Sequence, residues 1–227
     1  MMKSFYRQAP LHLLLPVLVG VAFLQRLASE VREGETLGFD TLGILLFRHA
    51  DNLSIPVGPS WLQHAATDIT SLGGVTVLSI ITISAAVYLA ILGRSREALF
   101  VFLSVLSGWV LSNALKWMVA RPRPDIVSHL VSVNDLSFPS GHAMVSTVVY
   151  LSMAIVLARR EPNRRARVFV FALAGLVIAM IGTTRVYLGV HYPTDVIAGW
   201  VGGLAWVSSC WMVAGRYIRQ ANGALPQ

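Results

Sequence analysis

Charge is scarce in this chain of 227 residues: Asp, Glu, Lys and Arg together make up 13% of it, against 55% hydrophobic residues. Soluble domains carry about a quarter charged residues, and a mean hydropathy of +0.65 belongs to a protein whose solvent is lipid. A soluble fold is thereby excluded. Acids are scarcer than bases, eleven against eighteen, but the bases fall in short loops between apolar runs, which is how a chain is oriented in a bilayer rather than how it grips nucleic acid. Cysteine occurs once, as Cys210 inside an apolar run, so no intramolecular disulfide can form. No Asp, Glu and His cluster has metal-ligand spacing, and neither a metal nor another cofactor is expected. Internal repeats and Ser/Gly linkers are also missing, so residues 1–227 are expected to form a single domain.

The apolar runs are what the chain has in place of these features. Leu72–Leu92, Ala98–Leu115, Ala143–Ala158, Val168–Thr184 and Val196–Gly215 contain no Asp, Glu, Lys or Arg, and each approaches the length of a membrane helix. An earlier run, Leu11–Leu24, follows Lys3 and Arg7. Gln25 to Glu30 is a poor small-residue cleavage site, so this run is read as an uncleaved anchor and not a signal peptide. The expected fold is therefore all-α, an integral membrane bundle of six transmembrane helices.

Residues 25–71 are too many for a structureless connection. Phe39, Leu42, Leu45 and Leu46 recur at helical spacing, and Pro59-Ser60-Trp61 before Ala65, Ile69 and Leu72 looks like a capped helix entering the membrane. This segment is expected to be an interfacial helical flap. A core of about residues 98–215 carries the remaining polar clusters.

Loop charges set the orientation. Lys3, Arg7, Arg94, Arg96, Arg159, Arg160, Arg164, Arg165, Arg167, Arg216 and Arg219 fall on one side with only Glu97 and Glu161; the other side holds nine of the eleven acids. By the positive-inside rule both termini are cytoplasmic and the flap is outside. In a bacterium the site would then face the periplasm from the inner membrane. Three distant polar clusters, Lys116–Pro124, Pro139–His142 and Thr184–Asp195, are thereby delivered to one outer end of the bundle.

Each cluster carries chemistry. His191 and Asp195 are four apart, so a near-helical turn puts them on one face, the carboxylate taking one ring N–H and leaving the other nitrogen free to attack. Pro193 suits the first turn of a helix, with Tyr192 as its cap. Ser140 is a good N-cap, and the amides beside Gly141 form an anion cradle. His142 at its rim can protonate a departing alkoxide. Lys116 and Arg123 are separated by a helix break at Pro122 and can converge on one phosphate, with Arg185 as a third cation. Arg121 is read as a snorkelling anchor.

Lys116 with Arg123-Pro124, Pro139-Ser140-Gly141-His142, and Arg185 with His191 and Asp195 resemble the three signature motifs of the type 2 phosphatidic acid phosphatase family. Thr184 stands where that family's third motif usually opens with Ser; its hydroxyl, like Pro139, is an additional candidate for the phosphate site. The resemblance implies that His191 attacks phosphorus to give a phosphohistidine, that Asp195 orients it, and that His142 protonates the leaving group. It also implies that Lys116, Arg123, Ser140, Gly141 and Arg185 stabilise the transferred oxygens. The expected function is a metal-independent phosphatase for a polyprenyl pyrophosphate or glycerolipid phosphate, with the bilayer and a membrane lipid as its partners and no nucleic acid. A lipid phosphotransferase using the same intermediate, and a non-catalytic lipid transporter, are the alternatives.

Overall fold

The structure, a computed structural model, describes residues 14–222. Lys3, Arg7 and the side chain of Arg219, used above to orient the chain, lie outside the described residues. The helices are α1 Leu14–Glu33, α2 Leu37–Leu45, α3 Ser60–Ser71, α4 Val75–Ile91, α5 Ser95–Val119, α6 Gly141–Ala158, α7 Arg164–Tyr187 and α8 Pro193–Asn222. Between α2 and α3 an antiparallel hairpin pairs β1 Arg48–His49 with β2 Asn52–Pro56. Among the described residues, helices α1, α5, α6, α7 and α8 are each long and apolar enough to cross a bilayer, and α3 with α4, bent by 44°, is long and apolar enough as a pair. The chain is an all-α, multi-pass integral membrane protein. In lipid a helix satisfies its own backbone and can turn apolar side chains outward, which is why Leu15, Ile80, Leu99, Phe169 and Leu204 are exposed.

Helix α6 is the axis of the bundle, packed against α5, α7 and α8. Val145, Val148, Val149 and Val156 interlock with Phe100, Val101 and Val105 of α5 and Val207 of α8. The α6–α8 contact depends on missing side chains. A Cβ at Gly199 would stand 2.8 Å from the Ser140 carbonyl oxygen, and one at Gly203 would stand 2.7 Å from that of Met144. Backbones approach this closely in membranes where small residues line the seam. The seam holds the starts of α6 and α8 together, and Ser140 N donates to the Asp195 carbonyl at 2.9 Å.

Several boundaries differ from the sequence expectation. The first helix does not stop at Leu24 but runs to Glu33, because nothing breaks it before Gly34 (φ 79°). Bonds four residues apart, Arg26 to Glu30 and Ser29 to Glu33, support its last turns. The connection that follows this helix therefore begins near residue 34. The run Leu72–Leu92 is interrupted at Gly73-Gly74, where α3 hands over to α4. The hairpin was not expected at all. Helix α2 was expected, and it exposes Phe39, Leu42 and Leu46 while Asp40 and Ile44 are fully buried. Apolar residues suit the outer surface of a helix lying at the headgroup level, and the polar one is turned inward to a partner.

Candidate active site

Two helix ends define the five-residue connector that carries His191. Helix α7 closes in a Schellman motif: Gly189 N donates to the Val186 carbonyl at 2.9 Å and Val190 N to that of Arg185 at 3.2 Å, with Gly189 in the left-handed region at φ 74°. Only glycine takes this conformation without cost. It also has no room for a side chain, since a Cβ would meet the Arg48 guanidinium at 2.6 Å. Helix α8 then opens on Pro193 as its first residue, with Tyr192 as cap. Asp195, the third residue, reaches back to accept from Tyr192 N at 2.9 Å, the reciprocal half of a capping box. His191 is thus gripped between a stop signal and a start signal.

The imidazole is buried, and its two nitrogens face different partners. Nδ1 lies 3.4 Å from Asp195 Oδ2 and 3.4 Å from Ser137 Oγ. Nε2 lies 3.2 Å from Arg123 Nη1. A guanidinium can only donate, so Nε2 is the acceptor and the ring proton sits on Nδ1 toward the carboxylate. Burial, then the charges of Arg123, Arg185, Lys116 and His142, hold the imidazole well below its ordinary range, so it is neutral near pH 7 and its Nε2 lone pair is available. Asp195 is fully buried and is further held by Ser137 Oγ at 2.5 Å and Arg121 Nη1 at 2.8 Å.

In front of Nε2 lies a cavity of about 730 Å³. Lys116 from α5, His142 and Gly141 from α6, Arg185 from α7, and Arg123 and Asp135 from the α5–α6 loop surround its polar end; Leu78 and Ile83 of α4 and Phe102, Leu106 and Trp109 of α5 line the rest. Arg185 donates to Thr70 Oγ1 at 3.0 Å, and its buried Nε has no hydrogen-bond partner among the described residues. Asp135 bridges the other two cations, 2.9 Å from Lys116 Nζ and hydrogen-bonded to Arg123. Burial alone would raise the Asp135 carboxyl, but the bonds and charges of Lys116 and Arg123 overcome it and hold it at about 2. A carboxylate therefore occupies the position between these two cations. Among the described residues no three His, Cys, Asp or Glu side chains gather as a metal-binding group.

Two further candidates point elsewhere. Thr184 Oγ1 donates back to the Ile181 carbonyl at 2.7 Å and does not line the cavity. Ser140, preceded by Pro139, is fully buried and its hydroxyl caps α6, accepting from Ala143 N at 3.4 Å.

Arg121 is not a snorkelling anchor. It is 7% exposed, pairs with Asp40 and Asp195 and stacks on the Tyr192 ring at 3.9 Å; a guanidinium flanked by two buried carboxylates is held by charge, not by a lipid surface. Asp40, Thr194, Ser137 and Asp135 were missed as partners. Asp40 did carry a signal, being an acid within an otherwise apolar helical pattern, one turn before Ile44.

The family model for the PAP2 superfamily matches residues 97–219, which hold all three motifs. The chain belongs to the PAP2 superfamily. Among PAP2 relatives, phosphatidylglycerophosphatase B of Bacillus subtilis is 33% identical over 145 residues, 63% of this chain and 71% of that protein. An undecaprenyl-diphosphatase of Sulfolobus acidocaldarius is 31% identical over 126 residues, 53% of this chain and 56% of that one. The fold resembles the crystal structure of a transmembrane PAP2-type phosphatidylglycerolphosphate phosphatase from Bacillus subtilis, with a TM-score of 0.75 at 24% identity, covering 93% of this chain and 98% of that one.

Proposed function

We propose that this membrane lipid phosphatase hydrolyses a lipid phosphomonoester or pyrophosphate through a phosphohistidine on His191, without a metal. The observation that carries the proposal is the orientation of His191: Nδ1 toward a buried carboxylate, Nε2 toward a cavity rimmed by Lys116, Arg123 and Arg185. An arriving phosphate displaces the Asp135 carboxylate from Lys116 and Arg123. Nε2 then attacks phosphorus, the P–O bond to the lipid breaks, and His142 gives its proton to the departing oxygen. In the second half His142 takes a proton from water as that water attacks the phosphohistidine, releasing inorganic phosphate and restoring both imidazoles. Three side-chain cations neutralise the equatorial oxygens, the work that metal ions do in other phosphoryl-transfer sites.

The apolar lining of the cavity, from α4 and α5, supports a lipid substrate, because it offers apolar surface to a tail in the same cavity as the cations. Free phosphate release from a panel of polyprenyl pyrophosphates, phosphatidate and phosphatidylglycerol phosphate in detergent tests the activity. Vanadate, which readily adopts a trigonal-bipyramidal geometry, is expected to inhibit, and excess EDTA to leave the rate nearly unchanged. Loss of activity in EDTA that magnesium restores, with indifference to vanadate, would contradict the mechanism.

The site is proposed to face the outside of the cell. Support comes from basic residues: Arg94 before α5 and Arg96 in its first turn, Arg159 and Arg160 after α6, and Arg164, Arg165 and Arg167 at the start of α7 lie at the end of the bundle opposite the cavity. A topology reporter inserted between Asp125 and Asp135 is expected to report outside, and one in the 159–163 loop cytoplasm. The reverse pattern would place the chemistry on the inner leaflet.

A further inference from the structure

Asp40 is 0% exposed although it belongs to α2 in the interfacial segment. A buried carboxylate is costly unless it is paired and hydrogen-bonded, and this one is: it accepts from Arg121 Nη2 at 2.7 Å, from Thr194 Oγ1 at 2.7 Å and from Thr194 N at 3.0 Å. Arg121 also donates through Nη1 to Asp195 Oδ1 and Thr194 Oγ1, both at 2.8 Å. One guanidinium is therefore shared between two fully buried carboxylates, and the trio carries a net negative charge. A purely structural clamp between α2 and α8 would need only one acid.

From this geometry we infer that Asp40 is a positioning residue for the reaction, engaging Arg121 so that Asp195 remains an effective anion behind His191. The inference rests on the proposed role of His191 as nucleophile. As Nε2 bonds to phosphorus the imidazole becomes cationic, and the Asp195 carboxylate stabilises that charge through Nδ1–H. Without the Asp40 charge, Arg121 would neutralise Asp195 alone and the developing cation would lose its counter-ion. The other groups around His191 are Ser137 and the cations Arg123, Lys116 and Arg185, with His142 across the cavity and Asp135 beyond Arg123. None of these supplies a second anion on the Nδ1 side.

The test is Asp40→Asn, near in shape but uncharged, measured in the full-length detergent-solubilised enzyme. Turnover is expected to fall about 10- to 100-fold with KM within about threefold, by analogy with the loss on removing groups that orient metal-bound histidines. The acid limb of kcat/KM is the discriminating readout. His191 must be neutral to attack, and removing a nearby negative charge disfavours the imidazolium, so this limb is expected to move about half a unit or more to lower pH. Mere loosening of the clamp would admit water and move the limb the opposite way, toward the ordinary imidazole range near 6.5. Thr194→Ala, which disturbs the same contacts without changing charge, is expected to leave the limb in place.

If Asp40→Asn does not fold, Asp40→Glu is read instead, with a lower kcat and an unmoved limb expected; a limb shifted to lower pH in Asp40→Glu overturns the inference. So does an Asp40→Asn enzyme with kcat within threefold of the parent, or one whose limb is unmoved or moves to higher pH. Trapping of phosphorylated wild-type enzyme separates the two levels: no label on His191 defeats the nucleophile reading itself, whereas label with an indifferent Asp40→Asn defeats only the role of Asp40.

Discussion

His191→Ala is expected to abolish turnover, by about a thousandfold or more, because among the described residues no second nucleophile stands at the Nε2 position. Ser137 is the nearest hydroxyl, and it is committed to Asp195 at 2.5 Å. The imidazole itself is 1% exposed, so alanine leaves a hole of the kind that costs roughly 2 to 4 kcal/mol in a packed interior. Thermal unfolding in detergent must therefore accompany the kinetics, and His191→Asn, which fills more of the space, serves as a second variant. A folded variant that keeps more than about a tenth of the activity would remove His191 from the role of nucleophile. Acid titration should follow from the same burial: with its affinity for a proton depressed by desolvation and neighbouring cations, His191 stays neutral, and the enzyme active, to a pH below the ordinary imidazole range of about 6.5.

His142→Ala is the second large effect, and its size should depend on the leaving group. A lipid alkoxide is a poor leaving group and needs its proton early, so loss of a positioned acid is expected to cost about 10² to 10⁴ on a lipid phosphate. An aryl phosphate departs with little help, and there the loss should stay within about tenfold. His142 lines the cavity from the first turn of α6, beside Gly141 and facing the Lys116, Arg123 and Arg185 cluster, which is where a leaving oxygen opposite Nε2 would lie. Steady-state rates on the two substrate types check this. Equal losses on both would assign His142 to phosphate binding and not to proton transfer.

The bundle was largely legible because membrane helices announce themselves by what they exclude: five runs without a charged residue became α4 to α8. Helix caps were legible too, since Ser140 and Pro193 act through local backbone geometry. Pairings across space were not. Arg121 lies between Lys116 and Arg123 in sequence and looks like one more basic residue at a helix end, yet its partner Asp40 is 81 residues away. The direction of α2 was not legible for a related reason. Apolar periodicity identifies a helix, but at a lipid interface it does not say whether the apolar stripe faces protein or membrane. Thr184 shows the same limit at the scale of one hydroxyl, because a side chain that bonds its own helix at Ile181 has the same sequence signature as one that reaches a ligand.

The proposed mechanism requires a covalent bond between His191 and phosphorus. Enzyme mixed with a lipid phosphate carrying ³²P in the phosphoryl group, and quenched in base within the first turnover, is expected to retain label that is stable to alkali, lost in mild acid and located to the peptide containing His191. His142→Ala protein, given an aryl phosphate, should retain the same label. Substrate consumed with no label at His191, or label that survives acid, would contradict it.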